Sequence, residues 1–243
     1  MFSKVVMMGA LAAAAGMLHA GPLSAGAAPP KCFGETATII GTTAGDDIDG
    51  TSRADVIVGR GGADSISGNG GRDRICGGAG NDNALGGDGR DRMDGGEGRD
   101  FVVGDRGNDL LKGRDGRDYV HGNGGQDVAR GGSGRDKTYG DTDVNAGVFG
   151  GGGDDALSGN QGNDFMDGGQ GDDIVDAGTG NDVAGGGKGT DFIAGRTGDD
   201  KLFGFAGNDG LDGGRGDDRL AGGRGIDGCV RGERYLSCET DPG

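Results

Sequence analysis

Apolar residues in this chain come singly and on a fixed beat. Ile48, Ile57, Ile66 and Ile75 lie nine apart, and the beat continues through Ala84, Met93, Val102, Leu111, Val120, Ala129 and Thr138. It resumes at Leu157 and runs through Met166, Val175, Ala184, Ile193, Leu202, Leu211 and Leu220 to Cys229. Each such residue sits in the phrase G-G-x-G-x-D-x-U-x, with U the apolar site, as in Gly213-Gly214-Arg215-Gly216-Asp217-Asp218-Arg219-Leu220-Ala221. Frames open at every ninth residue from Gly41 to Gly131 and from Gly150 to Gly222. The sixth position is Asp in every frame, and the fourth is Gly in all but Ala44 and Arg53.

The alternation in D-x-U-x predicts a short strand whose apolar residue points inward. Gly at the first, second and fourth positions is expected to supply the positive φ angles of a tight turn. One nonapeptide then makes half a coil, and residues eighteen apart stack at about 4.8 Å, the strand spacing. The predicted fold is all-β: a parallel β-roll, or β-solenoid, of stacked nonapeptide repeats with about ten coils and a length of roughly 50 Å. Its core is one side chain thick. Each buried aliphatic residue contributes about 1.5–3 kcal/mol, against about 1–2 kcal/mol to order each backbone unit, so the roll is expected to need a further stabiliser.

The Asp column suggests one. At an effective dielectric of about 20, two bare carboxylates at the strand spacing, such as Asp164 and Asp182, repel by roughly 3–4 kcal/mol, and a cation is expected between them. Carboxylates plus turn carbonyls are hard oxygen donors that suit Ca²⁺. Soft sites are not on offer, because the only histidines are His19 and His121 and the cysteines have no paired C-x-x-C spacing.

The nonapeptide resembles the repeat of RTX proteins, the hemolysin-type calcium-binding repeat, from Gly41 to Val230. The resemblance implies several bound calcium ions and calcium-dependent folding. The expected carboxylate ligands are Asp64, Asp73, Asp82, Asp91, Asp100, Asp109, Asp118, Asp127, Asp155, Asp164, Asp173, Asp182, Asp191, Asp200, Asp209 and Asp218. The four cysteines allow three pairings. Similarity to secreted repeat proteins with a lone cysteine before the roll and a pair at its end implies Cys32 with Cys76 and Cys229 with Cys238. By phase, the first pair lies about two coils apart unless the segment around Pro29 to Ile40 leaves the spiral as a cap.

Residues 1–28 read as a secretory signal peptide: Lys4, an apolar stretch from Val5 to Leu18, and a small-residue cleavage signal at Ala25-Gly26-Ala27, with Leu18-His19-Ala20 as a second candidate. In this the chain departs from many RTX toxins, which carry a carboxyl-terminal export signal. Residues 29–40 are expected to cap the roll, 41–139 and 150–230 to form its two halves, 140–149 to interrupt it irregularly, and 231–243 to close it. The interruption opens with D-x-D-x-N, like an EF-hand loop, but Gly152 stands where the closing Glu belongs. A bulge or irregular loop is the better reading.

Composition narrows the function. Sixty-four glycines and no Trp would ordinarily indicate disorder, which the strict period opposes. A formal net charge of −16 excludes a nucleic-acid footprint, and no segment is long enough for a membrane span. There is no H-E-x-x-H and no G-x-S-x-G, and pairs such as Asp172-Asp173 recur with the nonapeptide rather than as a catalytic dyad. Arg215-Gly216-Asp217 is an accident of composition, and second positions show no ice-binding ladder. The expected function is extracellular calcium-ion binding with no catalysis; the alternative is a structural or adhesive matrix or cell-surface protein stiffened by calcium. A protein or cell-wall partner is left open. Fifth positions are often Arg in the first half (Arg72, Arg90, Arg99, Arg117, Arg135) and Asp or Asn in the second. Such an Arg would neutralise the neighbouring ligand Asp unless it points outward.

Overall fold

The computed structural model describes residues 3–5, 28–141, 145–231, 234–236 and 238. The signal segment, apart from Ser3–Val5, lies outside the described residues. The chain winds into a parallel β-roll. Among the described residues, alternate strands fall into one sheet of 13 strands and one of 12. Strand pairing in the roll joins residues one coil apart: Ile48 pairs with Ile66, Ile66 with Ala84 and Ala84 with Val102 on one sheet, while Ile57, Ile75, Met93 and Leu111 follow one another on the other.

Side-chain alternation decides what faces inward. In strands such as Asn83–Gly89, the eighth and first positions are buried and the seventh and third are exposed. The eighth-position residues from Ile48 to Leu220 make up the core, together with Ile39, a half-coil ahead of the first predicted one. Thr138 is fully buried in this column, and among the described residues its hydroxyl has no hydrogen-bond partner.

Residues 31–36 stand off the spiral, whereas Ile39–Ile40, expected in the cap, lies in it. Lys31–Cys32 and Glu35–Thr36 form a small antiparallel hairpin, and Ile39–Ile40 then enters the roll beside Ile57. Cys76, at an outward ninth position, is bonded to Cys32 in the hairpin, and Phe33 lies under the Arg92 guanidinium, 4.5 Å from ring centroid to Cζ. At the other end Cys229 is bonded to Cys238, and both pack against the second core cluster.

The interruption is more regular than expected. Gly147–Gly152 is a strand, with Val148 inward between Ala129 and Met166. Ala146 takes the place of the sixth-position Asp, and its amide donates to Oδ1 of Asp164 at 2.6 Å. Asn145 takes the fifth position and accepts the amide of Asn163 at 2.7 Å. The segment 140–149 is therefore a half-coil with one extra residue and one missing carboxylate. The remainder of the D-x-D-x-N run, Thr142 to Val144, lies outside the described residues.

Candidate metal centre

The turn glycines differ in what they do. Fourth-position glycines such as Gly80 (φ 134°) and Gly98 (φ 129°) require positive φ. Second positions adopt it even without Gly, as in Asn69 (φ 70°), Asn123 (φ 78°) and Arg114 (φ 92°). First-position glycines do not adopt it, contrary to the expectation from sequence. They are needed for space: a Cβ on Gly68 would lie 2.6 Å from Oδ2 of Asp73 and 2.5 Å from the carbonyl oxygen of Gly86. The first glycine is the floor on which the sixth-position carboxylate rests.

That carboxylate is bound on one side only. After the first, Oδ1 of each Asp on one edge accepts the backbone N–H of the Asp one coil earlier, at 2.7 to 3.0 Å, so Asp46, Asp64, Asp82, Asp100, Asp118, Asp136, Asp155, Asp173, Asp191, Asp209 and Asp227 form an unbroken ladder. The other edge carries Asp55, Asp73, Asp91, Asp109 and Asp127, then Ala146, then Asp164, Asp182, Asp200 and Asp218. These aspartates are all buried. From Asp64 to Asp118 and from Asp136 to Asp227, Oδ2 is buried with no hydrogen-bond partner among the described residues. The two opening frames differ. The amide and hydroxyl of Thr42 donate to Oδ2 of Asp46 at 2.6 and 2.9 Å, and Thr51 does the same to Asp55 at 2.7 and 2.8 Å.

Burial raises many of the column carboxyls. Asp73, Asp109, Asp118, Asp155, Asp164, Asp173 and Asp200 are pushed up to about 7, and Asp64, Asp82, Asp182 and Asp191 to about 6. Loss of water is the largest cause, the amide bond to Oδ1 opposes it, and repulsion from neighbouring aspartates comes after. The sequence argument put repulsion first; the structure makes desolvation the larger cost.

First-position carbonyl oxygens run beside Oδ2, and other main-chain oxygens stack in columns of their own. The fourth-position carbonyl of one coil is aimed at the fourth-position Cα of the next, Gly62 toward Gly80 and Gly80 toward Gly98, and second-position carbonyls such as Arg60 and Gly78 repeat this one column over. Among the described residues no three His, Cys, Asp or Glu side chains converge on a point. Each layer instead supplies one carboxylate and several carbonyls. That donor set fits a hard cation of flexible coordination such as Ca²⁺, and a buried oxygen lacking a donor is the place for it. All sixteen sequence-predicted aspartates lie on these two edges, in matching positions. Asp136 and Asp227, not among them, have the same orphaned oxygen; each has Asp at the sixth position, which was signal enough.

Fifth-position arginines point outward. Arg72, Arg90, Arg99, Arg117 and Arg135 are exposed, and no ion pair joins any of them to a sixth-position Asp among the described residues. In the second half the fifth-position Asn or Asp accepts the fifth-position amide of the next coil, as in Asn163 to Asn181 (2.7 Å) and Asp172 to Thr190 (2.8 Å). Ninth-position aspartates pair with second-position arginines twenty residues on: Asp94 with Arg114 and Asp176 with Arg196, each at 2.6 Å.

Stacked turns that hold a buried half-bound carboxylate and columns of carbonyls in each layer define a β-roll with hard-oxygen cation sites. The sequence matches the four-copy RTX calcium-binding nonapeptide repeat over residues 40–75, 49–84, 77–111, 103–138, 112–145, 149–184, 185–220 and 207–228, and the chain belongs to that family. No curated protein is matched by the chain. The repeats indicate calcium binding.

Proposed function

We propose that this is a secreted, extracellular calcium-binding protein without catalysis, in which sixth-position aspartates and turn carbonyls hold several Ca²⁺ ions. In this reading metal binding and folding are one event. The observation that carries it is the file of buried Oδ2 atoms without a donor along both edges. Ca²⁺ supplies positive charge and accepts irregular oxygen shells, whereas Mg²⁺ demands near-ideal octahedra. The two disulfides fit an oxidising compartment. Among the described residues no helix is long and apolar enough to cross a membrane.

The test is calorimetric calcium titration of two variants. Asp191→Ala removes a buried column carboxylate and is expected to weaken calcium binding; Asp176→Ala removes one that is paired with Arg196 outside the column and is expected to leave it nearly unchanged. Equal losses would remove the column from the ligand set. Circular dichroism should show β-structure gained cooperatively with Ca²⁺ and poorly with Mg²⁺.

A further inference from the structure

One strip on the outside of the 13-stranded sheet is both apolar and charge-segregated. Its seventh positions in successive coils are Phe101, Tyr119, Lys137, Ala156, Ile174 and Phe192, each the direct ladder neighbour of the next. Phe101, Ile174 and Phe192 are 42, 57 and 50% exposed, and the Phe101 and Tyr119 rings stack at 4.7 Å. Beside them the fifth positions read Arg99, Arg117, Arg135, Asp154, Asp172 and Thr190. As far as Asp172 and Ile174, the two columns line a groove of 710 Å³. Arg117 and Asp172 form no ion pair within the described chain, while Arg135 pairs with Asp154.

The strip is basic at one end, acidic at the other and apolar at both. An isologous interface needs such self-complementarity, each patch meeting its counterpart under a two-fold rotation. A two-fold axis lying in the interface, parallel to the strands and passing between the coils of Arg135 and Asp154, reverses the roll axis and keeps the strand direction. Fifth positions then oppose fifth positions, and seventh oppose seventh. Arg117 meets Asp172 of the second copy, and Asp172 meets its Arg117. Phe101 meets Phe192, Tyr119 meets Ile174, and Lys137 lies over Ala156. The Arg135–Asp154 pairs of the two copies close a ring of four charges at the axis. A parallel arrangement would set Arg117 against Arg117.

We propose that this face joins two copies of the chain, antiparallel. A linear polyanion fits less well, because it would run from the arginines onto Asp154 and Asp172. Six coils at about 4.8 Å, with side chains at both ends, by four residues of strand give a face of roughly 30 by 13 Å. That is small for a protein interface, so the dimer is weak and concentration-dependent.

The test uses the full secreted chain with saturating calcium, followed by sedimentation velocity from about 1 μM to about 1 mM. The wild-type chain should pass from monomer to dimer. Arg117→Asp and Asp172→Lys should each weaken dimerisation by roughly tenfold or more, since both symmetry-related contacts become like-charged. Mixing the two variants restores opposite charge at both contacts and should recover the wild-type affinity. Circular dichroism in calcium reports separately whether each variant folds and loads; if one does not, Phe192→Ser should weaken the same equilibrium. A wild-type chain that stays monomeric throughout, or folded variants whose mixture does not recover, overturns the proposal. So does binding of a polyanion to the monomer with no self-association, which would give the strip to another partner.

Discussion

Removing calcium and then lowering the pH should fold the chain. Moving an Asp from its usual 3.8 to about 6 or 7 reflects a cost of about 3 to 4 kcal/mol for keeping that carboxylate ionised in the fold. Eleven aspartates carry shifts of this size, and a folded domain has a net stability of roughly 5–15 kcal/mol. The metal-free roll therefore cannot hold its columns ionised at pH 8. The sign follows from linkage: the folded pKa lies above the unfolded one, so between about pH 4 and about pH 7 the folded state binds more protons, and metal-free stability falls as pH rises through that window. Far-ultraviolet circular dichroism of the metal-free chain should show little β-structure at pH 8 and a gain on acidification, with a midpoint near 6 to 7. Exposed carboxylates titrate near 4, so the midpoint separates buried columns from general charge repulsion. Calcium should have the opposite dependence, binding more weakly as the columns protonate. A metal-free spectrum that is unchanged between pH 8 and pH 5, or a loss of β-structure on acidification, would refute the reasoning.

Gly159→Ala would put a Cβ 2.4 Å from the carbonyl oxygen of Ala177 and 2.5 Å from Oδ2 of Asp164, and should weaken calcium binding by roughly tenfold in a calorimetric titration. Gly107→Ala would drive a Cβ into the Gly89 carbonyl at φ 145° and should cost more than about 3 kcal/mol, while Gly152→Ala, with nothing within 4 Å, should stay within about 0.5 kcal/mol in calcium-saturated denaturant unfolding. Thr138→Val removes a buried hydroxyl that has no partner and should stabilise the chain by about 1 kcal/mol in the same measurement.

The period, the inward column and the two Asp edges were legible because a strand alternates faces and a nine-residue unit returns each residue type to the same face every coil. The first-position glycine was misread because glycine answers two needs, positive φ and empty space, and only the stacked coils show which. Ala177 carried a hint, since an alanine at a first position would be costly at positive φ. The hairpin at Lys31–Thr36 left no periodic trace, as it packs on the outside of the roll through Cys32 and Phe33. Ala146 was hidden by counting forward from Gly140. Counting back in nines from Gly150 places Ala146 sixth and Val148 eighth, the positions they occupy.

That middle half-coil bears on how the roll holds together. A solenoid coil touches only its neighbours, so its cooperativity depends on each interface in turn. Here the buried column passes from Ala129 directly to Val148 on one sheet, while on the other the polar Thr138 stands between Val120 and Leu157. One edge also loses a carboxylate at Ala146. The other edge does not: Asp136 donates to Asp155 at 2.7 Å across the inserted residue, as if the coil were of ordinary length. The halves are thus joined by one intact Asp ladder and the strands on either side of it. Thr138 in the core and Ala146 on the edge thus fall in the same coil, and that coil is where a calcium-poor chain is expected to divide first into two folding units.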